Sequence, residues 1–299
     1  METMRVVGCS ASNGIDITLS KVLGVDLVKA ELTRFPDGEI KVKVPEFKEK
    51  IAVIVQSTYF PQEKNLFELV LAAQALKGKH IIAVIPYIAY ARQNRSFSPG
   101  EAVSINSVLD IIECAGIKEL ITVNPHKSEP LMRFNGKIGI VDAAGTLAKK
   151  IGGNFDNPTI IAPDKGGIGI AKKAASVMKC DYTYIEKHRN IYGSVSIKKT
   201  HGGNFRGNDI IIFDDVISTG GTVEQAARFA YDHGAKSVSV AAIHLVMVKG
   251  AYEKLQSSGI QKIFGTNTVP FDRADTIDIA SDIASRINKI GTKGVSKEK

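Results

Sequence analysis

Residues 210–213, Ile-Ile-Ile-Phe, form an unbroken apolar run that stops at two adjacent carboxylates, Asp214 and Asp215. The run is too short for a helix, and no polar residues alternate through it. It therefore reads as a strand buried on both faces, the situation of a parallel sheet covered by helices on each side. Similar runs recur at 5–9, 51–56, 81–86, 120–123, 138–141, 159–162, 181–185 and 238–244. Segments with helical spacing fall between them, at 15–23, 65–76, 103–115, 143–151, 167–178, 223–233 and finally 277–287. Strands alternating with helices throughout imply an α/β chain built on mostly parallel sheets.

A chain of 299 residues exceeds what one core usually holds, since single cores stop growing at ~250–300 residues. Two sheets fit the length, with expected domains at 1–142 and 143–288 and a basic tail at 289–299. Two stretches break the rhythm. Residues 34–44 read as a hairpin arm, with a Phe35-Pro36-Asp37-Gly38-Glu39 turn leading into alternating Ile and Lys. Residues 186–208 are basic and glycine-rich, too long for an ordinary connection, and read as either a lid or disorder.

The formal net charge of +8 allows nucleic acid or a polyanionic small molecule as partner. Part of the excess sits in the tail, and no aromatic RNA-binding signature is present, so no nucleic acid is expected. No apolar run reaches the ~20 residues of a membrane span, and no signal segment opens the sequence. The expectation is a cytoplasmic protein with no membrane partner. Cys9, Cys114 and Cys180 have neither disulfide nor zinc spacing and read as small buried hydrophobes.

Chemistry concentrates at 210–222. An acidic strand end is followed by Ser218-Thr219-Gly220-Gly221-Thr222, and then the helical pattern begins. Unpaired amides of the loop and the first helical turn, together with the helix dipole, make an anion site. The glycines let the backbone curl around the anion, and the hydroxyls add donors. Asp214 and Asp215 accept only, which suits ribose hydroxyls or a metal-bound water. The local reading is a sugar-phosphate pocket. Thr222 and Gln225 also form a capping-box pattern. Gly167-x-Gly169 lacks the third glycine of a dinucleotide loop, because Lys172 stands there.

This stretch resembles the phosphoribosyl-binding loop of type I phosphoribosyltransferases. With the other motifs, in order along the chain, the sequence resembles the ribose-phosphate diphosphokinases. That resemblance implies two tandem phosphoribosyltransferase-like domains and Mg2+-dependent transfer of diphosphate from ATP to ribose 5-phosphate. It assigns Ser218, Thr219, Gly220, Gly221 and Thr222 to the 5-phosphate, and Asp214 and Asp215 to the ribose hydroxyls. Lys187-x-Arg189 matches the start of the family's catalytic loop, and Arg189 also faces ribose 5-phosphate. Phe35, Asp37, Gly38 and Glu39 match Phe-x-Asp-Gly-Glu, and Arg92 and Gln93 match the Arg-Gln pair that contacts ATP. His126 and Asp164 match the Mg2+ residues. The family places the 35–39 turn across a subunit interface, so a homo-oligomer is expected. Asn94, Asn124 and Ser218 each stand where the family usually has Asp. A phosphoribosyltransferase would share the 214–222 loop without needing Arg92 and Gln93 or the 35–39 turn. A regulatory relative could lose Lys187 and Arg189, which are intact here.

Overall fold

The computed structural model describes residues 3–189, 195–199 and 204–292, with side chains for these except 187–189, 195–199, 291 and 292. It divides into two compact units. The first comprises the residues through Asp142, a short return at Asn267–Val269, and the described residues from Asp278 onward.

The first unit begins β1 (Met4–Gly8), α1 (Ile15–Leu23), β2 (Leu27–Lys29), β3 (Glu31–Arg34) and β4 (Ile40–Lys43). It continues β5 (Ile51–Val55), α2 (Gln62–Ala75), β6 (His80–Ile85), α3 (Ser104–Cys114), β7 (Glu119–Val123) and β8 (Lys137–Val141). Six strands form one parallel sheet in the order β2-β1-β5-β6-β7-β8. The apolar runs are its buried centre, with Val53, Ile54, Val84, Leu120 and Ile121 fully inaccessible. β3 and β4 stand apart as an antiparallel arm, as the 34–44 pattern indicated.

The second unit runs α4 (Ala144–Ile151), β9 (Pro158–Ala162), α5 (Ile168–Met178), β10 (Asp181–Arg189), β11 (Val195–Lys199) and β12 (Asp209–Ile217). It ends α6 (Gly221–Asp232), β13 (Ser237–Leu245), α7 (Ala251–Ser257), β14 (Ile260–Thr266) and β15 (Asp275–Ile277). Its sheet is ordered β11-β10-β9-β12-β13-β14-β15. Among its described residues only the β10–β11 pair is antiparallel. The parallel part is wound as in the first unit. The second strand lies outside the first, the third lies on the first strand's other side, and the rest follow outward. Each unit also inserts an antiparallel arm between its second and third parallel strands. This is repeated architecture without evident repeated sequence.

The last helix, α8 (Ala280–Thr292), departs from the expected domain limits. The second domain was expected to run to 288, whereas this helix packs with the first unit. Ala280, Ile283, Ala284, Ile287 and Ile290 are buried at helical spacing. Gly139 in β8 makes room for them, since a Cβ there would fall 2.7 Å from Ile290 Cδ1 and 2.9 Å from Arg286 Cγ. Arg286 Nη2 donates to Ile138 O at 3.2 Å. The helix also reaches Thr292, past the expected start of the tail; residues 293–299 lie outside the described residues. Of the three cysteines only Cys9 is buried; Cys114 is exposed on α3 and Cys180 is half-buried, against the expectation for all three. Among the described residues no helix is long and apolar enough to cross a membrane.

Candidate active site

In the second unit the strand order reverses between β9 and β12, which pair in parallel through Ile212 and Ile161. The carboxyl ends of strands at such a reversal form a crevice where ligands bind. Both ends carry acids here, Asp164 after β9 and Asp214 and Asp215 within the last residues of β12.

Asp214 is buried, and Asp215 is half-buried. Asp214 Oδ1 accepts the Asp215 amide at 2.9 Å, and Asp215 Oδ1 accepts the Val216 amide at 2.9 Å. Burial holds the Asp214 carboxyl well above the usual carboxylate range, and the charges of Asp215 and Asp164 push the same way. The ligand-free site thus concentrates negative charge that a cation or hydroxyl donors would relieve.

The loop that follows opens α6. Gly220 has φ +74°, and a Cβ there would sit 3.2 Å from Leu255 Cδ2, so both conformation and packing require glycine. The helix starts at Gly221, two residues before the expected Val223. Thr222 therefore lies inside the first turn, and no side chain caps Gly220, so the capping-box pattern is not used. Helix geometry leaves the first-turn amides without intrahelical acceptors, and no side chain caps the turn from Gly220. The Met247 amide donates to Ile217 O and the Val248 amide to Ser218 O, both at 3.1 Å, bracing the loop from behind.

Asp164 caps a short 3-10 turn, Lys165–Gly167, with Oδ1 accepting the amides of Gly166 at 2.8 Å and Gly167 at 3.2 Å. The cap engages Oδ1 alone. Lys165 Nζ pairs with Glu186 Oε1. Glu186 belongs to β10, which pairs with β9 over Asp181–Tyr184 and with β11 over Ile185–Arg189. The expected lid is thus, in its described part, a two-stranded arm. Lys187 and Arg189 are backbone positions in it, opposite Ile197 and Val195; their side chains lie outside the described residues.

In the first unit, residues 35–39 form the tip of the β3–β4 arm. Phe35 N donates to Glu39 O at 2.8 Å, and Gly38, at φ +96°, donates to Phe35 O at 2.9 Å. Asp37 Oδ1 accepts the Glu39 amide at 3.1 Å, and Arg34 Nη1 donates to Gly38 O at 2.7 Å. Phe35 is 44% exposed despite its size, with Lys41 Nζ 5.9 Å from its ring centroid. Arg92 and Gln93 follow a tight turn at Tyr90, φ +65°, where the Gln93 amide donates to Tyr90 O at 3.0 Å. Arg92 is exposed. The Gln93 side chain is engaged by Glu101, a residue the motif reading passed over because it lies beyond the Arg-Gln pair. His126 is exposed after β7. Asn124 Nδ2 donates to Asp142 Oδ1 at 3.1 Å, so the amide found where the family has Asp is paired with a carboxylate.

The family model for the N-terminal domain of ribose phosphate pyrophosphokinase matches residues 4–116, and that for the phosphoribosyl transferase domain matches 136–272. A ribose-phosphate pyrophosphokinase of Saccharolobus solfataricus is 44% identical over 288 residues, covering 94% of this chain and 99% of the relative. That of Sulfurisphaera tokodaii is 42% identical over 291 residues, covering 95% and 100%. The crystal structure of phosphoribosylpyrophosphate synthetase from Mycobacterium smegmatis superposes with a TM-score of 0.84 at 28% identity, covering 98% of this chain and 100% of that one. With near-complete coverage in both directions, the chain belongs to the ribose-phosphate pyrophosphokinase family.

Proposed function

We propose that this chain transfers the β,γ-diphosphate of ATP to the 1-hydroxyl of ribose 5-phosphate, giving phosphoribosyl diphosphate and AMP. The observation that carries this is the near full-length match to ribose-phosphate pyrophosphokinases through both domains, and the acidic end of β12 running directly into an uncapped glycine loop at the start of α6 supplies the sugar-phosphate site. The amides of 219–222 bind the 5-phosphate, and Asp214 and Asp215 accept from the ribose hydroxyls. The 1-hydroxyl oxygen attacks the β-phosphorus and releases its proton to water, the bond from the β-phosphorus to the α-phosphate oxygen breaks, and AMP leaves with that electron pair. Lys187 and Arg189 stabilise charge on the β-phosphate oxygens. No strong base is required, because positioning and electrostatics dominate this chemistry.

The donor set fits Mg2+, whose sites typically combine one or two protein carboxylates with substrate phosphates. Asp164 and His126 are the expected ligands, and the ion would neutralise and orient the triphosphate. The exposed Phe35 tip supports nucleotide stacking, in the family's arrangement against a neighbouring copy in a homo-oligomer. The reaction belongs to the cytoplasm.

The test is a product assay with ribose 5-phosphate, ATP and Mg2+ that follows AMP against ADP. Stoichiometric AMP with phosphoribosyl diphosphate is the expected result. ADP would mean simple phosphoryl transfer and overturn the reading. Ser218 adds a sharper check. Serine offers a hydroxyl where the family usually places a carboxylate, so it favours the phosphate. Ser218→Asp is expected to weaken ribose 5-phosphate binding about tenfold, read by titration calorimetry. Unchanged or tighter binding would remove Ser218 from the phosphate contact.

A further inference from the structure

Gln93 carries an amide whose two ends differ, and its orientation decides what it can recognise. Its Nε2 donates to Glu101 Oε1 at 2.7 Å and to Arg95 O at 3.3 Å. Both partners are pure acceptors, so the nitrogen must face them and the assignment is fixed by chemistry. Glu101 is itself clamped, since its Oε2 accepts the amides of Phe97 at 2.6 Å and Ser98 at 3.0 Å. These bonds, that from Phe97 foremost, hold the carboxyl below its usual range and keep it ionised. The Gln93 backbone is tied as well, through Tyr90 O and the Ile105 amide.

With both amide hydrogens committed, Gln93 offers a ligand only its carbonyl oxygen. Phosphate oxygens are acceptors and cannot satisfy it, and an ionised Glu101 beside it repels them. The nucleoside half of ATP does carry donors, at the adenine 6-amino group and the ribose hydroxyls. Arg92, an always-charged fork next in sequence, is the group suited to phosphate.

We infer that Glu101 is a positioning residue that locks the Gln93 amide with its oxygen outward, making Gln93 a reader of a nucleoside donor rather than of the triphosphate. The inference rests on the proposed nucleotide role of the Arg92–Gln93 loop. Glu101→Gln removes the fixed acceptor and lets the Gln93 amide turn, so the selectivity that depends on a donor collapses.

The experiment measures kcat/KM for ATP, ITP, 2′-deoxy-ATP and 3′-deoxy-ATP in wild type, Glu101→Gln and Gln93→Ala. ITP lacks the 6-amino group, and each deoxy analogue lacks one hydroxyl. In wild type the analogue lacking the donor read by Gln93 is expected to fall about tenfold below ATP. In Glu101→Gln that gap shrinks several-fold, through KM for the nucleotide, while KM for ribose 5-phosphate holds. Both residues lie on a solvent-facing loop, and a thermal melt reports whether the variants remain folded. A uniform loss on all four nucleotides, with selectivity unchanged, would make Glu101 a loop brace and overturn the inference. Gln93→Ala with unchanged KM for ATP would instead overturn the nucleotide role of the loop. Gln93→Ala that raises KM while Glu101→Gln keeps every ratio would leave that role standing and sink only the positioning.

Discussion

Lys187→Ala is expected to lower turnover by ~10²–10³-fold, the loss typical of removing one preorganised charge from a developing anion. The same substitution is expected to leave the unfolding midpoint within about 2 °C of wild type. The separation follows from where the backbone runs. β10 leaves the parallel sheet after Tyr184 and continues as an arm paired only with β11. Lys187 lies beyond the segment that holds the core together. The preceding residue, Glu186, is ion-paired to Lys165, which directly follows Asp164. The base of the arm is thereby tied to the turn whose carboxylate acts on Asp214. Saturating steady-state kinetics and a melt check both halves. Near-normal turnover would remove the catalytic assignment. Turnover and melting lost together would make Lys187 a structural residue of the arm. Lys187→Arg, which keeps the charge but changes its shape, is expected to recover part of the rate and no more.

Much of the fold was legible because burial on both faces leaves a plain trace. Residues 51–56, 81–86 and 159–162 could be read as central strands from runs dominated by Val, Ile and Ala, and the observed strands agree within a residue or two. β2 and β15, at the edge of the parallel sheet in each unit, have three residues each and no fully buried one, so they carried no comparable pattern. The destination of the last helix was hidden for a different reason. Its apolar stripe states that it packs, but not on what. The deciding fact is the absence of a side chain at Gly139, in a strand some 140 residues earlier. The site divides in the same way. The 214–222 loop is contiguous, so local chemistry sufficed to read it. Glu101 acts through a side chain eight residues away and belongs to no motif, so only coordinates bring it to Gln93. Asp164 shows how two readings can coexist: it is an ordinary turn cap through one oxygen and leaves the other uncommitted.

Asp214→Asn is expected to make the ligand-free protein more stable and the enzyme worse. The residue is 8% exposed, and burial together with Asp215 and Asp164 raises its pKa. A carboxyl raised in the folded state contributes stability while it is neutral. That contribution is complete below the unfolded value near 4 and is lost as pH climbs through the folded value. Above that folded value the native state carries the strain of a buried charge beside Asp215 and Asp164. Asparagine removes the charge and keeps an oxygen to accept the Asp215 amide, a bond of 2.9 Å in the wild type. The variant is therefore expected to melt about 2–4 °C higher at pH 8, the shift that ~1 kcal/mol makes in a domain of this size. The difference should close as pH falls toward about 4, where the wild-type carboxyl is neutral too. Ribose 5-phosphate binding is expected to weaken about 10–100-fold, because a charge-assisted acceptor for sugar hydroxyls is gone. The ligand should then raise the wild-type melting point more than the variant's, since it adds hydroxyl donors to the crowded carboxylates. Equal melting curves from pH 4 to 8 would remove the electrostatic account of Asp214. A stabilised variant that still binds the sugar phosphate normally would leave that account in place and take Asp214 out of the ribose contact.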